Sequence, residues 1–467
     1  MNLNETAEPV ILGSGKTLRL QRSKDAVQVL ALITVAVPVM AYLQNVGLDF
    51  GQDLAGWLDT VNRLSALVGT SLLLIHMLLT SRVPWLESII GLDRLTASHK
   101  KLGKPVLYLF LVHFLTSVMA YAVADGTGLI ATFFGLIGHY PELALALASL
   151  ALMMIVVLSS IRAARKKLSY EAWYLIHLTS YIAVIAAIPH QFVLGSEFLA
   201  SPWLGAYFAA LYFFVLFNLL WFRAAQPLLR SLIMGQKVES VTPEANRTTS
   251  IMIGGRGLQR LNAKAGQFFM LRILTKRQWW RPHPFSVSAS PNSSIRFTVG
   301  NRGDDTSELQ NLKPGTRVLL EGPYGIFSEN QRVNRKVTLL AAGIGIAPVR
   351  ALAESMAAEP GDITVIYRVT DTSDAALLEE VKQICRIRQH TLELPTGPRA
   401  SDANFLPSPN DDEKGMPESE RLLALAPDIK SSDIYVCGPV SWTASVLSAL
   451  NNLGVPKGNI HVEEFAW

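Results

Sequence analysis

Cysteine is nearly missing from this 467-residue sequence: there are two, Cys385 and Cys437, and neither stands in a Cys-x-x-Cys-His run. Covalent attachment of a c-type haem is therefore excluded, and any haem the chain takes is held by axial ligands alone, as haem b. Basic residues are missing from three stretches, 47–57, 123–142 and 191–202, which contain no Lys or Arg. A small-residue cleavage site is missing after the polar N-terminal 25 residues, which carry Lys16, Arg19, Arg22 and Lys24. Residues 1–25 accordingly read as a cytoplasmic tail rather than a signal peptide.

What is present is apolar in the first half and mixed in the second, for an average mean hydropathy of +0.28. Six apolar runs, 26–46, 58–79, 96–122, 143–161, 170–190 and 203–222, have the length of membrane helices. Basic residues cluster in alternate loops: Arg82, Arg94, Lys100, Lys101 and Lys104 around one, and Arg162, Arg165, Lys166 and Lys167 in another. With the three Lys/Arg-free loops on the opposite side, the positive-inside rule puts both termini in the cytoplasm. The pI near 9.1 then reports membrane topology and calls for no nucleic-acid partner.

Four histidines of the spans fall in two pairs, His99 with His113 and His177 with His190, 14 and 13 residues apart. Either step is roughly 20 Å of helix, about two-thirds of a hydrocarbon core of roughly 30 Å. Two facing helices would therefore present one imidazole pair near each membrane surface, which suits bis-histidine ligation of two stacked haems. By the topology above, His99 and His177 are the inner pair and His113 and His190 the outer. A 13-residue step is about 140° out of phase on an ideal helix, so Pro189 is expected to re-aim His190; Pro105 can bend the other ligand helix. Arg63, near the outer end of the second span, meets either a haem propionate or anionic acceptor, or the lipid interface by snorkelling. His76, lacking a partner at the same spacing, reads as a hydrogen-bonding neighbour of the ligands. His139 receives no role.

Beyond Arg230 short strands with period-two alternation take over, as in 250–253 and 267–273. The run His283-Pro284-Phe285-Ser286, the turn Gly303-Asp304-Asp305-Thr306 and the turn Gly322-Pro323-Tyr324-Gly325 follow in that order, and their glycines and hydroxyls suit a flavin cradle. A strand at 336–340 then enters Gly343-Ile344-Gly345-Ile346-Ala347-Pro348 and a helix, an arrangement that binds pyrophosphate. Further strands end at Arg368 and at Cys437-Gly438-Pro439, where open α/β sheets bind ligands. Arg368 is placed to meet a 2′-phosphate, which favours NADPH, with nearby Asp371 keeping NADH as the alternative. Residues 399–420, rich in Pro, Ser, Asp and Glu, read as an insertion without chemistry.

Taken together, these motifs resemble the ferric reductase and NADPH oxidase superfamily over essentially the whole chain, and the soluble part is similar to the ferredoxin-NADP reductase module. The resemblance implies a six-helix transmembrane bundle binding two b haems, then an antiparallel β-barrel FAD domain and an α/β Rossmann-like nucleotide-binding domain. The expected boundaries are 1–25 for the tail, 26–230 for the haem domain, 235–335 for the FAD domain and 336–467 for the NAD(P)H domain. By the same resemblance, His283, Pro284, Phe285 and Ser286 contact the flavin, and Gly303 and Thr306 form its phosphate-side turn. Gly343, Gly345 and Pro348 form the pyridine-nucleotide loop, and Cys437, Gly438 and Pro439 lie beside the nicotinamide. Phe465 or Trp467 stacks on the flavin. Two positions depart from the wider family: His283 stands where soluble relatives commonly have arginine, and the small Ala183 lies between the ligands of the fifth span, with Tyr181 as candidate filler. The implied enzyme is an NAD(P)H oxidase or ferric reductase in a bacterial inner or plasma membrane. It carries electrons from NAD(P)H through FAD and the haems to oxygen or a ferric complex outside. A quinone or an extracytoplasmic redox protein is the alternative acceptor, and a nucleotide-sensing channel or transporter the non-enzymatic alternative.

Overall fold

In the computed structural model the described residues are all except 1–13, 47–52, 246, 277, 302–303, 402, 409–414 and 465–467. They fall into two compact units, one holding Ser23–Val83 and Asp93–Arg223, the other including Pro84–Leu92 and Ala224–Trp467.

The first unit is helical because its sequence supplies long apolar runs with starts marked by caps and prolines. Its main helices are α1 (Ser14–Val46, which begins outside the unit) and α2 (Leu54–Leu78); after the short α3 (Pro84–Ile90) of the other unit come α4 (Leu92–Asp125), α5 (Leu129–His139), α6 (Pro141–Ser160), α7 (Tyr170–Leu194) and α8 (Pro202–Leu220). Asp53 caps α2 by accepting from the Gly56 N–H at 2.8 Å, Ser169 caps α7 by accepting from Ala172 at 3.2 Å, and prolines open α6 and α8. Among the described residues six helical stretches are long and apolar enough to cross a membrane: Gln21–Val46, Leu54–Leu78, Leu92–Asp125, Pro141–Ser160, Tyr170–Leu194 and Pro202–Met234. Large side chains such as Leu32, Phe213 and Leu220 point outward, while Tyr42, Leu74, Val106, Leu204 and Phe208 pack inside. Outward apolar side chains on closed helices suit lipid, where backbone groups must be satisfied within the helix. The chain is an integral membrane protein.

The second unit gathers α3, α9 (Gln226–Met234) and all the strands. β1 (Lys237–Pro243), β2 (Thr248–Gly254) and β5 (Ile295–Gly300) form one antiparallel sheet; β3 (Phe268–Ile273), β4 (His283–Ser286) and β6 (Val318–Tyr324) form another. Their inward residues, among them Ile251, Phe269, Leu271, Phe297 and Leu320, make one core. The register puts Phe268 opposite both Ser286 on β4 and Tyr324 on β6, so two of the sequence motifs meet across one residue.

A five-stranded parallel sheet follows, in the order β11-β10-β7-β8-β9, built from β7 (Lys336–Ala342), β8 (Ile363–Arg368), β9 (Thr391–Glu393), β10 (Ser432–Gly438) and β11 (Ile460–Glu464). Alternate residues feed opposite faces: Leu339, Ala341, Val365 and Tyr367 one core, Leu340, Ala342, Ile366 and Val436 the other. Between the strands run α10 (Asp304–Leu309, before β6), α11 (Ile346–Ser355), α12 (Leu378–Arg388), α13 (Glu418–Leu425) and α14 (Val440–Asn452). Strand order reverses between β7 and β10, the switch point at which such sheets bind nucleotides.

Candidate functional site

The histidine pairs come together. The rings of His99 and His177 have centroids 6.0 Å apart, and those of His113 and His190 6.5 Å apart. Two imidazole nitrogens each about 2 Å from one metal, with ring centres about 1 Å further out on either side, give about 6 Å between centroids. Both separations fit an ion between the rings. Among the described residues no group of three or more His, Cys, Asp or Glu side chains gathers as a metal cage, so each pair presents two imidazoles and no third side-chain ligand of these types. An apolar cavity of about 150 Å³ lies at the His113–His190 pair, lined by Ala66, Phe110, Phe114, Phe133, Leu147 and Met153 among others. The helix of α7 continues through Pro189, and His190 nevertheless faces His113.

The α2 backbone orients half of the set. His99 donates from Nδ1 to the His76 carbonyl at 3.0 Å, and His113 from Nδ1 to the Asn62 carbonyl at 3.1 Å. A carbonyl only accepts, so these bonds fix the Nδ1–H tautomer and leave Nε2 unprotonated. The Nδ1 atom of His177 is buried without a hydrogen-bond partner. His76 does more than the sequence suggests: besides lending its carbonyl, its ring stacks on His99 with centroids 3.7 Å apart and 7° between planes. Trp173 packs on His177 at 5.1 Å, and Arg165 lies over Trp173 at 4.8 Å. Ala183 is fully buried, and Tyr181 accepts from Arg223 at 3.3 Å. Arg63 is held by carboxylates, Asp59 at 2.8 Å and the buried Glu197 at 3.0 Å; Asn45 donates to the other Glu197 oxygen.

In the antiparallel sheets, β4 brings His283, Pro284, Phe285 and Ser286 alongside β3, with His283 and Phe285 stacked at 6.0 Å. The Ser286 hydroxyl is buried with no partner, which fits a ligand hydroxyl or phosphate at that point. Thr306 lies on α10; Gly303 is outside the described residues, as are Phe465 and Trp467.

At the switch point, Gly343 takes φ +55°, and a Cβ on Gly345 would collide with the Cys437 carbonyl, so the loop lies against the end of β10. Pro348 sits in the first turn of α11. A cavity of about 190 Å³ there is lined by Gly343, Arg368, Thr370, Asp374, Arg399 and Pro439 among others. Arg368 donates to the Gly397 carbonyl at 2.7 Å and to the Thr370 hydroxyl at 3.2 Å. Burial, and after it the Arg399 guanidinium facing it, pull Arg368 below the usual arginine value. Arg399, read from sequence as part of an inert insertion, lines the same cavity as Arg368, with the Asp374 carboxylate also in the lining. Cys437 turns its side chain into the core; burial first, then the Glu463 carboxylate, push its thiol well above the ordinary range. Gly438 packs against Trp442 so closely that a Cβ has no room.

Residues 65–188 match the model of the ferric reductase like transmembrane component, residues 246–328 an FAD-binding domain and residues 339–446 an oxidoreductase NAD-binding domain. The chain has the architecture of the ferric reductase and NADPH oxidase superfamily. Among curated relatives, the ferredoxin reductase component of 3-ketosteroid-9-alpha-monooxygenase from Rhodococcus rhodochrous is 26% identical over 244 residues, 50% of this chain and 65% of that protein. A flavohemoprotein of Vibrio cholerae serotype O1 is 27% identical over 238 residues, 49% of this chain and 57% of that protein. The chain thus spans between about half and two thirds of the length of these relatives. The solved flavohem-like FAD/NAD binding domain of nitric oxide dioxygenase from Vibrio cholerae O1 biovar El Tor is 20% identical, with 49% of this chain and 98% of that chain covered at a TM-score of 0.38. A ferric reductase-like membrane domain followed by FAD-binding and NAD-binding domains is what the three family models show.

Proposed function

We infer that the chain carries electrons from cytoplasmic NADPH, through FAD and two b haems, to oxygen or a ferric complex on the far side of a bacterial inner or plasma membrane. The observation that carries this reading is the pair of histidine pairs, at 6.0 and 6.5 Å, with His99, His113 and His177 inside the residues that match a ferric reductase-like domain and His190 just past them. When bound, the flavin converts hydride transfer into single-electron steps and the haems relay those electrons across the bilayer. His99 and His177 hold the inner haem, His113 and His190 the outer. The Asn62 and His76 carbonyls keep Nε2 of His113 and His99 available as ligands. Ser286 and the turn at Gly322–Gly325 hold the flavin; Gly343, Gly345 and the start of α11 hold the pyrophosphate; Arg368 and Arg399 meet the 2′-phosphate. Gly438 and Pro439 edge the nicotinamide, and Cys437 contributes its backbone there, its thiol being in the core. Arg63, its charge already met by Asp59 and Glu197, braces the bundle and is not assigned to the acceptor.

The test is an optical one followed by a choice of acceptor. Purified protein should show a Soret band and, by pyridine haemochrome, about two haems b per chain. A colourless protein that binds NADPH would sink the reading in favour of a nucleotide-sensing channel or transporter. Superoxide formation and ferric-chelate reduction measured side by side then identify the acceptor, and failure of both would turn attention to a quinone or an extracytoplasmic redox protein.

A further inference from the structure

The turn Gly322-Pro323-Tyr324-Gly325 ends β6, and both of its ends are gripped by segments that the sequence places next to membrane spans. α3 lies between the second and third spans. It stops at Gly91, whose φ of +88° is the left-handed conformation suited to a helix end. Within α3, Glu87 is 4% exposed, and its carboxylate accepts from the Gly325 N–H at 2.6 Å. Leu92, just after Gly91, packs in a small cluster with Phe268, Met270 and Tyr324. At the other end of the turn, Arg230 on α9, the continuation of the sixth span, donates to the Gly322 carbonyl at 3.2 Å. Ser231 beside it donates to the Val318 carbonyl at 2.9 Å, which fixes α9 along β6.

We propose that Glu87 and Arg230 are positioning residues for the flavin: they set the Gly322–Gly325 turn and, through Phe268, the strand that carries Ser286. The chain of contacts is short. Gly325 is anchored by Glu87; Tyr324 pairs with Phe268; Phe268 pairs with Ser286, whose buried hydroxyl awaits a ligand. Gly325 lies close against the Phe268 ring, since a Cβ there would stand 3.0 Å from it. A buried carboxylate bonded to a backbone N–H is the stronger kind of hydrogen bond, and its loss leaves a buried donor unmet. Neither residue needs to touch the flavin. Their effect is that FAD retention depends on two segments lying outside the strands that form its cradle.

The inference rests on reading Gly322–Gly325 as part of the FAD site, and the experiment separates the two. Full-length protein in nanodiscs is stripped of FAD and titrated with it, following flavin fluorescence and the shape of the bound flavin absorbance band. The haem spectrum and thermal midpoint report whether each variant is folded. Glu87→Ala should raise the FAD dissociation constant about tenfold or more, raising the apparent KM for FAD while leaving kcat at saturating FAD nearly intact. Glu87→Gln keeps an acceptor oxygen and should bind within about threefold of the unaltered chain. Arg230→Ala, at a half-buried position less prone to misfold, should weaken binding by about threefold to tenfold, with Arg230→Lys recovering part of it. If the unaltered chain binds no FAD, the reading of the turn fails. If it binds FAD and folded Glu87→Ala or Arg230→Ala binds it equally well with the same absorbance band, the positioning role is overturned, as it is if Gln is no better than Ala at position 87.

Discussion

Removing Arg368 isolates the nucleotide preference from everything else in the chain. Its guanidinium has five N–H donors, and two of its nitrogens are engaged, with the Gly397 carbonyl at 2.7 Å and the Thr370 hydroxyl at 3.2 Å. Enough donors remain to meet a phosphate in the cavity that both arginines line. A hydrogen bond to a charged partner contributes about 1.5–3 kcal/mol, or roughly 10-fold to 150-fold in a specificity constant. Arg399 stays in the same cavity and retains part of the attraction, so Arg368→Ala should lower kcat/KM for NADPH by the smaller factor, about tenfold. NADH has no 2′-phosphate to lose and should change by less than about twofold. Arg399→Ala should behave alike, the double variant should lose more than either, and Arg368→Lys should recover part of the loss as a point charge without the fork. The assay is anaerobic stopped-flow bleaching of the flavin at a series of NADPH and NADH concentrations. An unchanged NADPH-to-NADH ratio in Arg368→Ala would refute the assignment.

Three further outcomes are open to measurement. His113→Leu or His190→Leu should lower the haem count from about two to about one per chain while NADPH still bleaches FAD at its former rate, and retention of both haems would remove these residues as ligands. Gly345→Ala forces a Cβ onto the Cys437 carbonyl and should cost about 1–3 kcal/mol of stability together with nucleotide affinity, whereas Gly343→Ala meets no neighbour and should cost only its left-handed backbone, about 1 kcal/mol; equal thermal midpoints would contradict the geometry. His390, buried against the Ala353 carbonyl, has its pKa lowered to about 4, by burial first and then by Arg388. The folded form therefore stays neutral while the unfolded chain protonates, so stability is held above the unfolded value near 6.5 and lost as pH falls from there toward about 4; denaturation midpoints across that range should slope less in His390→Leu.

The histidine pairs were legible because two side chains on one helix must be separated by a fixed number of residues, and the glycine turns because backbone approach leaves few choices of residue. What flanks them was hidden for the same physical reason in each case. Carbonyls of Asn62 and His76 carry no mark of identity, since every residue has one. Arg399 lies 31 residues beyond Arg368 in a stretch whose composition reads as solvent-exposed, and nothing local announces that the chain returns to the switch point. Glu87 meets Gly325 across 238 residues. The phase of His190 was misleading as well: helical periodicity describes one straight helix alone, and a ligand pair depends on where the partner helix passes. Cys437 matched its motif by identity, yet strand alternation turns its sulfur to the core.

The bonds from His99 to the carbonyl of residue 76 and from His113 to that of residue 62 run in opposite directions along two helices, each spanning the same 14-residue interval. Because the acceptors are main-chain atoms, any side chain at 62 could serve the tautomer of His113. A single residue inserted or deleted between 62 and 76 would rotate one carbonyl by about 100° relative to the other and withdraw it from its ring. This part of α2 is therefore free in spelling but locked in length, so it should tolerate nearly any substitution scan at position 62 and fail at the first frame-preserving indel.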